Sequence, residues 1–279
     1  MRAHLVQLDI AWEDKAKNHD RVADMLDKAD VARGDFVLLP EMFDTGFSFN
    51  VERTNDKAGA TLTFLLELAD DLGVTVQGGR TVAACHQCMA SNVMTTVEPG
   101  QKVLCEFTKI HPFSLGGEQE KFAGGDEVMT YQLRGANGRD GGAGRDDGRT
   151  DGESFTVAPA ICYDLRFPEL FRKGLRLGAE LFAVGACWPS VRQAHWRALL
   201  IARAIENQAY VLGVNRVGSD PDTTEKPGLK YGGGSIVVSP KGEIIGELGD
   251  QPSVLSVAID PKEVKRWRDV FPAWKDGRL

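Results

Sequence analysis

The chain has 279 residues, of which 42% are hydrophobic, and this is enough to bury a sizeable core. Its 40 acidic and 33 basic residues give a net charge of −7, so no basic field attracts a phosphate backbone and nucleic acid is not expected as a partner. No stretch approaches the roughly 20 apolar residues that span a bilayer, and a membrane partner is not expected either.

The N-terminus and the cysteines indicate the compartment. The first residues, MRAHLVQLDIAWEDK, place acidic side chains in a short apolar run and lack the features of a secretory signal. The cysteines are odd in number and unevenly spaced, in a chain too large to need disulfides: Cys85, Cys88, Cys105, Cys162 and Cys187. We therefore expect reduced thiols in a cytoplasmic protein.

Apolar runs bounded by turn residues alternate with helical patterns, which predicts an α/β architecture in a single domain over residues 1–279. The first half predicts, in chain order, a strand over 4–10, a helix over 17–31, a strand over 35–39, a helix over 61–72 and a strand over 74–78. Two β-rich runs within 92–109 then flank the turn Glu98-Pro99-Gly100, and this hairpin signal predicts a mixed sheet.

Residues 134–153 (RGANGRDGGAGRDDGRTDGE) contain seven glycines and almost no apolar side chain. Such a segment cannot offset its ordering entropy, so we predict a flexible Gly-rich insertion between two strands rather than a domain boundary. A recognition role for its Arg and Asp residues is the alternative.

The second half returns to the alternating pattern. It predicts, in chain order, a strand over 155–162, a helix over 168–177, a strand over 180–185, a helix over 192–207, strands over 210–214, 234–239, 243–248 and 254–259, and a helix from Pro261. The strands over 234–239 and 243–248 face each other across Pro240-Lys241-Gly242.

Cys162 lies where an apolar strand ends and Asp164 and Pro168 indicate a turn into a helix. Open α/β sheets bind their ligands at this edge, so a thiol at such an elbow can be a nucleophile. The alternative is a buried cysteine that fills the core, which is common for free thiols.

Glu41 and Lys109 also lie at strand ends, after the runs FVLLP and KVLCEFT. Each alone fits a structural ion pair as well as a functional group. With Cys162 they make chemical sense, because a carboxylate can deprotonate a thiol and an ammonium can stabilise the oxyanion of a tetrahedral intermediate. No histidine accompanies Cys162 in a papain-like or caspase-like motif.

Four segments in this order resemble the nitrilase superfamily of carbon-nitrogen hydrolases, most closely its omega-amidase-like branch: LPEMFDTGFS, FTKIHPFSLGGEQEKFAGG, PAICYDLRFPELFR and ARAIENQAYVLGVNRVGSD. The resemblance implies a four-layer αββα sandwich, assembly as a homodimer or larger homo-oligomer, and no metal or organic cofactor. It implies Glu41 as general base, Lys109 as oxyanion-stabilising lysine, Cys162 as nucleophile, and Glu118 as a second glutamate that orients the lysine and assists the base.

The implied reaction is the hydrolysis of a small amide to an acid and ammonia through a cysteine thioester, with the Tyr163 backbone N–H as a second oxyanion donor. Omega-amidases act on short dicarboxylate monoamides such as 2-oxoglutaramate, and Arg166 is a candidate for the substrate carboxylate, with an elbow salt bridge as the alternative. Tyr231 matches a position near the pocket of related amidases. Relatives usually have Asn where this chain has Cys187, which leaves the amide substrate open.

Other signals have weaker interpretations. Cys85-His86-Gln87-Cys88 has the spacing of half a zinc site, but no second pair completes it. His195 is expected to be a packed or capped core histidine, and His111 a positioning residue in its loop.

Three alternatives compete with an amidase. They are an N-carbamoyl-amide hydrolase, an acyltransferase with another acceptor, and a non-catalytic redox or binding protein whose thiols sense oxidants.

Overall fold

The structure is a computed structural model and describes residues 1–83, 89–136, 154–222 and 228–277. The half zinc motif at 85–88 and residues 137–153 of the Gly-rich insertion lie outside the described residues.

The secondary structure alternates as the sequence predicts. The helices are α1 (Lys15–Asp27), α2 (Val51–Thr54), α3 (Ala60–Leu72), α4 (Pro168–Arg176), α5 (Gln193–Asn207) and α6 (Pro261–Val270). The strands are β1 (Arg2–Gln7), β2 (Phe36–Leu38), β3 (Thr75–Ala83), β4 (Ala90–Glu98), β5 (Lys102–Thr108), β6 (Phe122–Ala123), β7 (Tyr131–Arg134), β8 (Ser154–Ile161), β9 (Leu181–Ala186), β10 (Tyr210–Asn215), β11 (Val217–Ser219), β12 (Lys230–Gly232), β13 (Ile236–Val238), β14 (Ile244–Glu247) and β15 (Ser253–Ala258).

Two mixed sheets contain most of these strands. A seven-stranded sheet has the order β15-β1-β2-β3-β4-β5 with β6 on β4, and a six-stranded sheet has the order β14-β13-β10-β9-β8-β7. In the first, β1, β2 and β3 are parallel and β4 is antiparallel. In the second, β8, β9 and β10 are parallel and β13 is antiparallel. The predicted mixed topology is confirmed.

Side-chain alternation along the strands builds the layers. Leu5 of β1 faces the core shared with the second sheet, whereas its neighbour Val6 faces the cluster covered by α3. On the far side of the second sheet, Phe171 of α4 packs on Phe182 of β9 with ring centroids 5.0 Å apart. The order is helices, sheet, sheet, helices, which confirms the predicted αββα sandwich.

Some boundaries differ from the prediction. The first strand was expected over 4–10 but is Arg2–Gln7, because it pairs antiparallel with β15 from Arg2↔Ala258 to Gln7↔Ser253. The pattern also missed the elements of four residues or fewer at 51–54, 122–123, 131–134, 217–219 and 230–232. Short strands of this kind depend on pairing with distant residues, which no local period reports.

Two glycines, one on a strand of each sheet, leave room for the backbone of the segment that carries Glu41. A Cβ at Gly79 would lie 2.6 Å from the backbone N of Met42 and 2.8 Å from Cα of Glu41. A Cβ at Gly185 would lie 3.2 Å from the backbone N of Glu41. Both strands therefore need glycine where the backbone of this segment approaches them.

Asp44 connects the same segment to α1 and α3 through hydrogen bonds. Its carboxylate is fully buried, accepts a hydrogen bond from Thr61 Oγ1 at 2.7 Å and lies 3.7 Å from Lys15 Nζ. Its carbonyl accepts a hydrogen bond from Asn18 Nδ2 at 2.7 Å. These contacts hold the backbone just beyond Glu41.

The titration of Asp44 should make stability depend on pH. Burial raises the pKa of Asp44 from 3.8 to about 6, against the opposing effects of Lys15 and Thr61. The folded state thus binds this proton more tightly than the unfolded chain. Proton binding to Asp44 therefore stabilises the folded state fully below about pH 4, and this stabilisation is lost as the pH rises through about 6. We compare the free energy of unfolding of Asp44→Asn with that of the unmodified protein. The difference between them should shift by about 3 kcal/mol in favour of the variant as the pH rises from about 4 to 7. Urea denaturation of both proteins measures this difference, and a pH-independent difference would contradict it.

Candidate active site

Strand ends from both sheets meet at one edge of the sandwich. Glu41 follows β2, and Lys109 follows β5, which runs parallel to β2 because β4 is antiparallel to both β3 and β5. In the second sheet Cys162 follows β8 and Cys187 follows the parallel β9. Residues that are far apart in the chain therefore share one edge.

A buried cluster of three charges lies there. Lys109 Nζ donates hydrogen bonds to Glu41 Oε1 and to Glu118 Oε2, each at 2.8 Å. Asn92 Nδ2, on β4, donates to the same carboxylates at 2.8 and 3.0 Å. The backbone N–H of Phe113 donates to Glu118 Oε2 at 2.6 Å. Glu41, Glu118 and Lys109 are at most 1% exposed, so each carboxylate is held by several donors out of water.

Cys187 holds the remaining oxygen of Glu41. Its backbone N–H donates to Glu41 Oε2 at 2.9 Å, and its thiol donates to the Glu41 carbonyl at 3.2 Å. The contact to the carboxylate comes from the backbone, so it does not depend on which side chain residue 187 carries. The side chain forms part of the pocket wall instead.

Cys162 begins a sharp turn. Its φ of +45° lies in the left-handed region, and a 3-10 helix over Cys162–Arg166 follows directly. Asp164 Oδ2 accepts a hydrogen bond from the backbone N–H of Ile161 at 3.1 Å. Asp164 Oδ1 contacts the backbone N of His111 at 2.9 Å and its Nδ1 at 2.8 Å. Asp164 thus joins the elbow to the loop after β5, and His111 has the positioning contact expected of it.

The electrostatics of the cluster favour a protonated thiol and a charged lysine. Burial raises the pKa of Cys162 well above its ordinary value, the charge of Glu41 raises it further, and Lys109 opposes both. Burial lowers the pKa of Lys109, but the neighbouring Glu41, Glu118 and Cys162 raise it by more, and the net pKa is above the ordinary value. A base is therefore needed to release the thiol proton, and the Glu41 carboxylate is near enough to this thiol for its charge to raise the pKa of Cys162.

A pocket that opens to the solvent leads to the thiol. Its lining is Phe47, Lys109, Phe113, Cys162, Tyr163, Arg166, Cys187, Trp188, Pro189, Arg192 and Leu229. Four of these eleven residues are aromatic, and the charged side chains among them are the cations Lys109, Arg166 and Arg192.

Arg166 lies on this wall against aromatic rings. Its guanidinium carbon is 4.7 Å from the ring centroid of Trp188 and 5.8 Å from that of Tyr163. His195 Nδ1 is 3.4 Å from Arg166 Nη2, and His195 is exposed, so the expectation of a core histidine is wrong because α5 turns this residue outward. Within the described ranges no carboxylate lies within 4.0 Å of the Arg166 guanidinium. The expected alternative of a salt bridge within the elbow is therefore not formed among these residues.

Tyr231 lies behind the wall. Its hydroxyl donates to Asp220 Oδ2 at 2.7 Å, and the Arg216 guanidinium carbon lies 4.3 Å from its ring centroid. It is 4% exposed and packs in the same hydrophobic cluster as Cys187. The structure thus places Lys109 and Cys162 in the pocket lining, with Glu41 hydrogen-bonded to Lys109, and places Tyr231 outside the lining.

Sequence reasoning missed three groups at this edge: the Asn92 amide, the Cys187 backbone N–H and the Arg192 guanidinium. Asn92 carried a usable signal, because a polar amide in a strand that is otherwise buried requires hydrogen-bond partners. A backbone N–H has no signal in the sequence. Arg192 looked like an ordinary residue at the start of a helix.

Three further observations concern the residues that the structure describes. Cys105, Cys162 and Cys187 are free thiols. No three His, Cys, Asp or Glu side chains of these ranges are grouped so that they could hold a metal ion. No helix in them is long and apolar enough to cross a membrane.

Proteins of similar sequence match this chain along almost its whole length. The family profile described as Carbon-nitrogen hydrolase matches residues 2–269. A Staphylococcus aureus protein named Hydrolase in agr operon is 33% identical over 284 aligned positions, which cover 100% of this chain and 98% of that protein. Omega-amidase YafV of Escherichia coli strain K12 is 30% identical over 278 positions, covering 99% of this chain and 96% of that protein.

A solved structure agrees with the sequence relatives. XC1258 from Xanthomonas campestris, a CN-hydrolase superfamily protein with an arsenic adduct in its active site, matches with a TM-score of 0.85 and 30% identity. The match covers 100% of this chain and 97% of that one. The resemblance predicted from four sequence segments is confirmed, and the chain belongs to the carbon-nitrogen hydrolase family.

Proposed function

We propose that the protein is an omega-amidase-like enzyme that hydrolyses short monoamides of dicarboxylic acids, such as 2-oxoglutaramate, to the acid and ammonia. One observation carries the substrate class. Arg166 faces the same pocket as the Cys162 thiol and has no carboxylate partner among the described residues, so its guanidinium is available to an anionic substrate. The Escherichia coli relative named omega-amidase supports the same choice.

The first half of the reaction forms a thioester. Glu41 accepts the Cys162 proton as the sulfur attacks the amide carbonyl carbon, and the carbonyl π electrons move to oxygen. The oxyanion lies near the Lys109 ammonium and the Tyr163 backbone N–H, at the start of the 3-10 helix where N–H groups lack intrahelical acceptors. When the carbonyl reforms, the C–N bond breaks and Glu41 returns the proton to the leaving ammonia.

The second half regenerates the enzyme. Glu41 takes a proton from water, the resulting hydroxide attacks the thioester carbonyl, and the C–S bond breaks. The acid leaves, and the sulfur of Cys162 regains its proton from Glu41. The same carboxylate thus serves both halves, which fits its three fixed donors in Lys109, Asn92 and Cys187.

Glu118 acts on the lysine rather than on the substrate. Its two oxygens lie 2.8 and 3.1 Å from Lys109 Nζ and it is fully buried away from the pocket lining. We assign it the role of orienting the ammonium. Tyr231 keeps a supporting role behind the wall, through its contact with Asp220.

The remaining proposals concern state and place. We propose that residues 1–279 act as one catalytic domain, since the family profile covers residues 2–269. A cytoplasmic homodimer stays a prediction from the cysteine usage and the family resemblance, and light scattering of the purified protein measures the assembly.

An amide panel tests the substrate. Ammonia release is measured with 2-oxoglutaramate, glutaramate, butyramide, an N-carbamoyl amide and a nitrile. We expect 2-oxoglutaramate to have the highest kcat/KM. Arg166→Gln should lower that value by roughly 10- to 100-fold, mainly through KM, because one charge-assisted hydrogen-bond pair is lost, while turnover of butyramide changes little. A preference for uncharged or bulky amides would overturn the carboxylate role of Arg166, and a preference for the N-carbamoyl compound would support the alternative activity.

A further inference from the structure

The pocket has a second guanidinium that the proposed chemistry does not use. Arg192 lies at the N-cap of α5 and lines the same space as Arg166 and Lys109. No Asp or Glu side chain belongs to the described lining of this pocket. No carboxylate of the described ranges lies within 4.0 Å of the Arg192 guanidinium. Among the described lining residues, the charged side chains are therefore all cations.

Aromatic rings hold both guanidinium groups. The Arg192 guanidinium carbon lies 5.4 Å from the ring centroid of Phe113, and that of Arg166 lies 4.7 Å from Trp188. The indole Nε1 of Trp188 donates to the backbone carbonyl of Arg192 at 2.8 Å, so one buried ring contacts both arginines. Packing against a ring face leaves the N–H edge of a guanidinium free for a ligand.

We propose that Arg192 is a specificity-determining residue that, with Arg166, selects 2-oxo acid monoamides over 2-amino acid amides. This inference rests on the proposed amidase function. With the amide at Cys162, the far end of 2-oxoglutaramate presents a carboxylate and an adjacent ketone oxygen, which are both acceptors. Guanidinium groups are donors only, so Arg166 and Arg192 together satisfy both.

Glutamine differs from 2-oxoglutaramate only at the carbon next to the carboxylate. There it carries an ammonium, which is a donor and positively charged. Beside Arg192 this ammonium meets a like charge and finds no carboxylate in the described lining. The pocket discriminates by repulsion as well as by attraction.

The experiment compares kcat/KM for 2-oxoglutaramate, glutaramate and L-glutamine in the unmodified enzyme, Arg192→Gln, Arg192→Lys and Arg166→Gln. Arg192→Gln should lower kcat/KM for 2-oxoglutaramate by roughly 10- to 100-fold, mostly through KM. The ratio of kcat/KM for 2-oxoglutaramate to kcat/KM for L-glutamine should fall by at least the same factor. Glutaramate lacks the ketone, so its kcat/KM should fall much less. Arg166→Gln should instead lower kcat/KM for 2-oxoglutaramate and for glutaramate by similar factors.

The matched control is Arg197→Gln. Arg197 lies on the same helix, exposed and paired with Glu247 at 2.9 Å, away from the pocket lining. It should keep all three constants within about twofold. Arg192→Lys retains the charge without the fork and should retain part of the discrimination, which separates an electrostatic effect from misfolding.

Two outcomes would overturn the inference, and they are distinguishable. If Arg192→Gln changes kcat/KM for all three substrates by the same factor, Arg192 does not recognise the group on the carbon next to the carboxylate, and the proposed amidase function stands. If the unmodified enzyme releases no ammonia from any amide of the panel, the proposed function fails and this inference fails with it.

Discussion

Replacing Cys162 by alanine should abolish amide hydrolysis, with kcat/KM for 2-oxoglutaramate reduced by at least about 10⁴-fold. The covalent route has no substitute for this sulfur at the strand-to-helix elbow. Cys187 lines the same pocket, but it is 4% exposed and its S–H donates to the Glu41 carbonyl at 3.2 Å. Ammonia release measures the loss. Intact-mass spectrometry should detect an acyl adduct on the unmodified enzyme and none on Cys162→Ala.

The thiol control is Cys105→Ala. Cys105 is buried in the core between the sheets and does not line the pocket, so the substrate does not reach its thiol. This variant should keep its activity within severalfold. Full activity in Cys162→Ala would show that another group attacks the amide, and Cys162→Ala combined with Cys187→Ala would then test the second thiol of the pocket.

Replacing Lys109 by methionine should damage both catalysis and stability. The oxyanion loses its ammonium, and we expect kcat to fall by about 10²- to 10³-fold. Glu41 and Glu118 are left fully buried without their shared counterion, and removing one partner from a buried ion cluster typically destabilises by about 3–5 kcal/mol. Urea denaturation and ammonia release measure the two effects separately.

A double variant separates stability from catalysis. Lys109→Met with Glu118→Gln removes one of the two uncompensated carboxylates and keeps an amide that can accept the hydrogen bond of the Phe113 backbone N–H. It should regain part of the lost stability and none of the activity. If the double variant is no more stable than Lys109→Met, repulsion between the buried carboxylates is not the cause of the destabilisation.

Much of the site was predictable because its residues follow recognisable strands. Apolar runs ending at Glu41, Lys109 and Cys162 place these side chains at strand ends, and the carboxyl ends of parallel strands share an edge. The β4-β5 hairpin signal gave the direction of the strand that carries Lys109. The four family-like segments then added Glu118, whose local pattern has no comparable signal.

The helices and longer strands were predictable for the same local reason. Periods of 3.6 and 2 residues reflect burial on one face. The ends were less predictable: α1 was expected over 17–31 but is Lys15–Asp27, capped by Asp14, whose carboxylate accepts from the Lys17 backbone N–H at 3.2 Å. The short strands at the sheet edges were not predictable, since their hydrogen-bond partners are distant in sequence.

By itself, then, the sequence determined the order of the longer helices and strands and the three candidate reactive groups at strand ends, and its resemblance to a known family supplied the αββα class. Only the tertiary structure decided that Asn92 bridges two carboxylates, that Cys187 binds Glu41 through its backbone, that Tyr231 lies behind the pocket wall and that Arg192 lines the pocket. The physical reason is that local patterns report which face of an element is buried. Contacts between side chains depend on strand register and on how two sheets pack, and both are set by residues far apart in the chain.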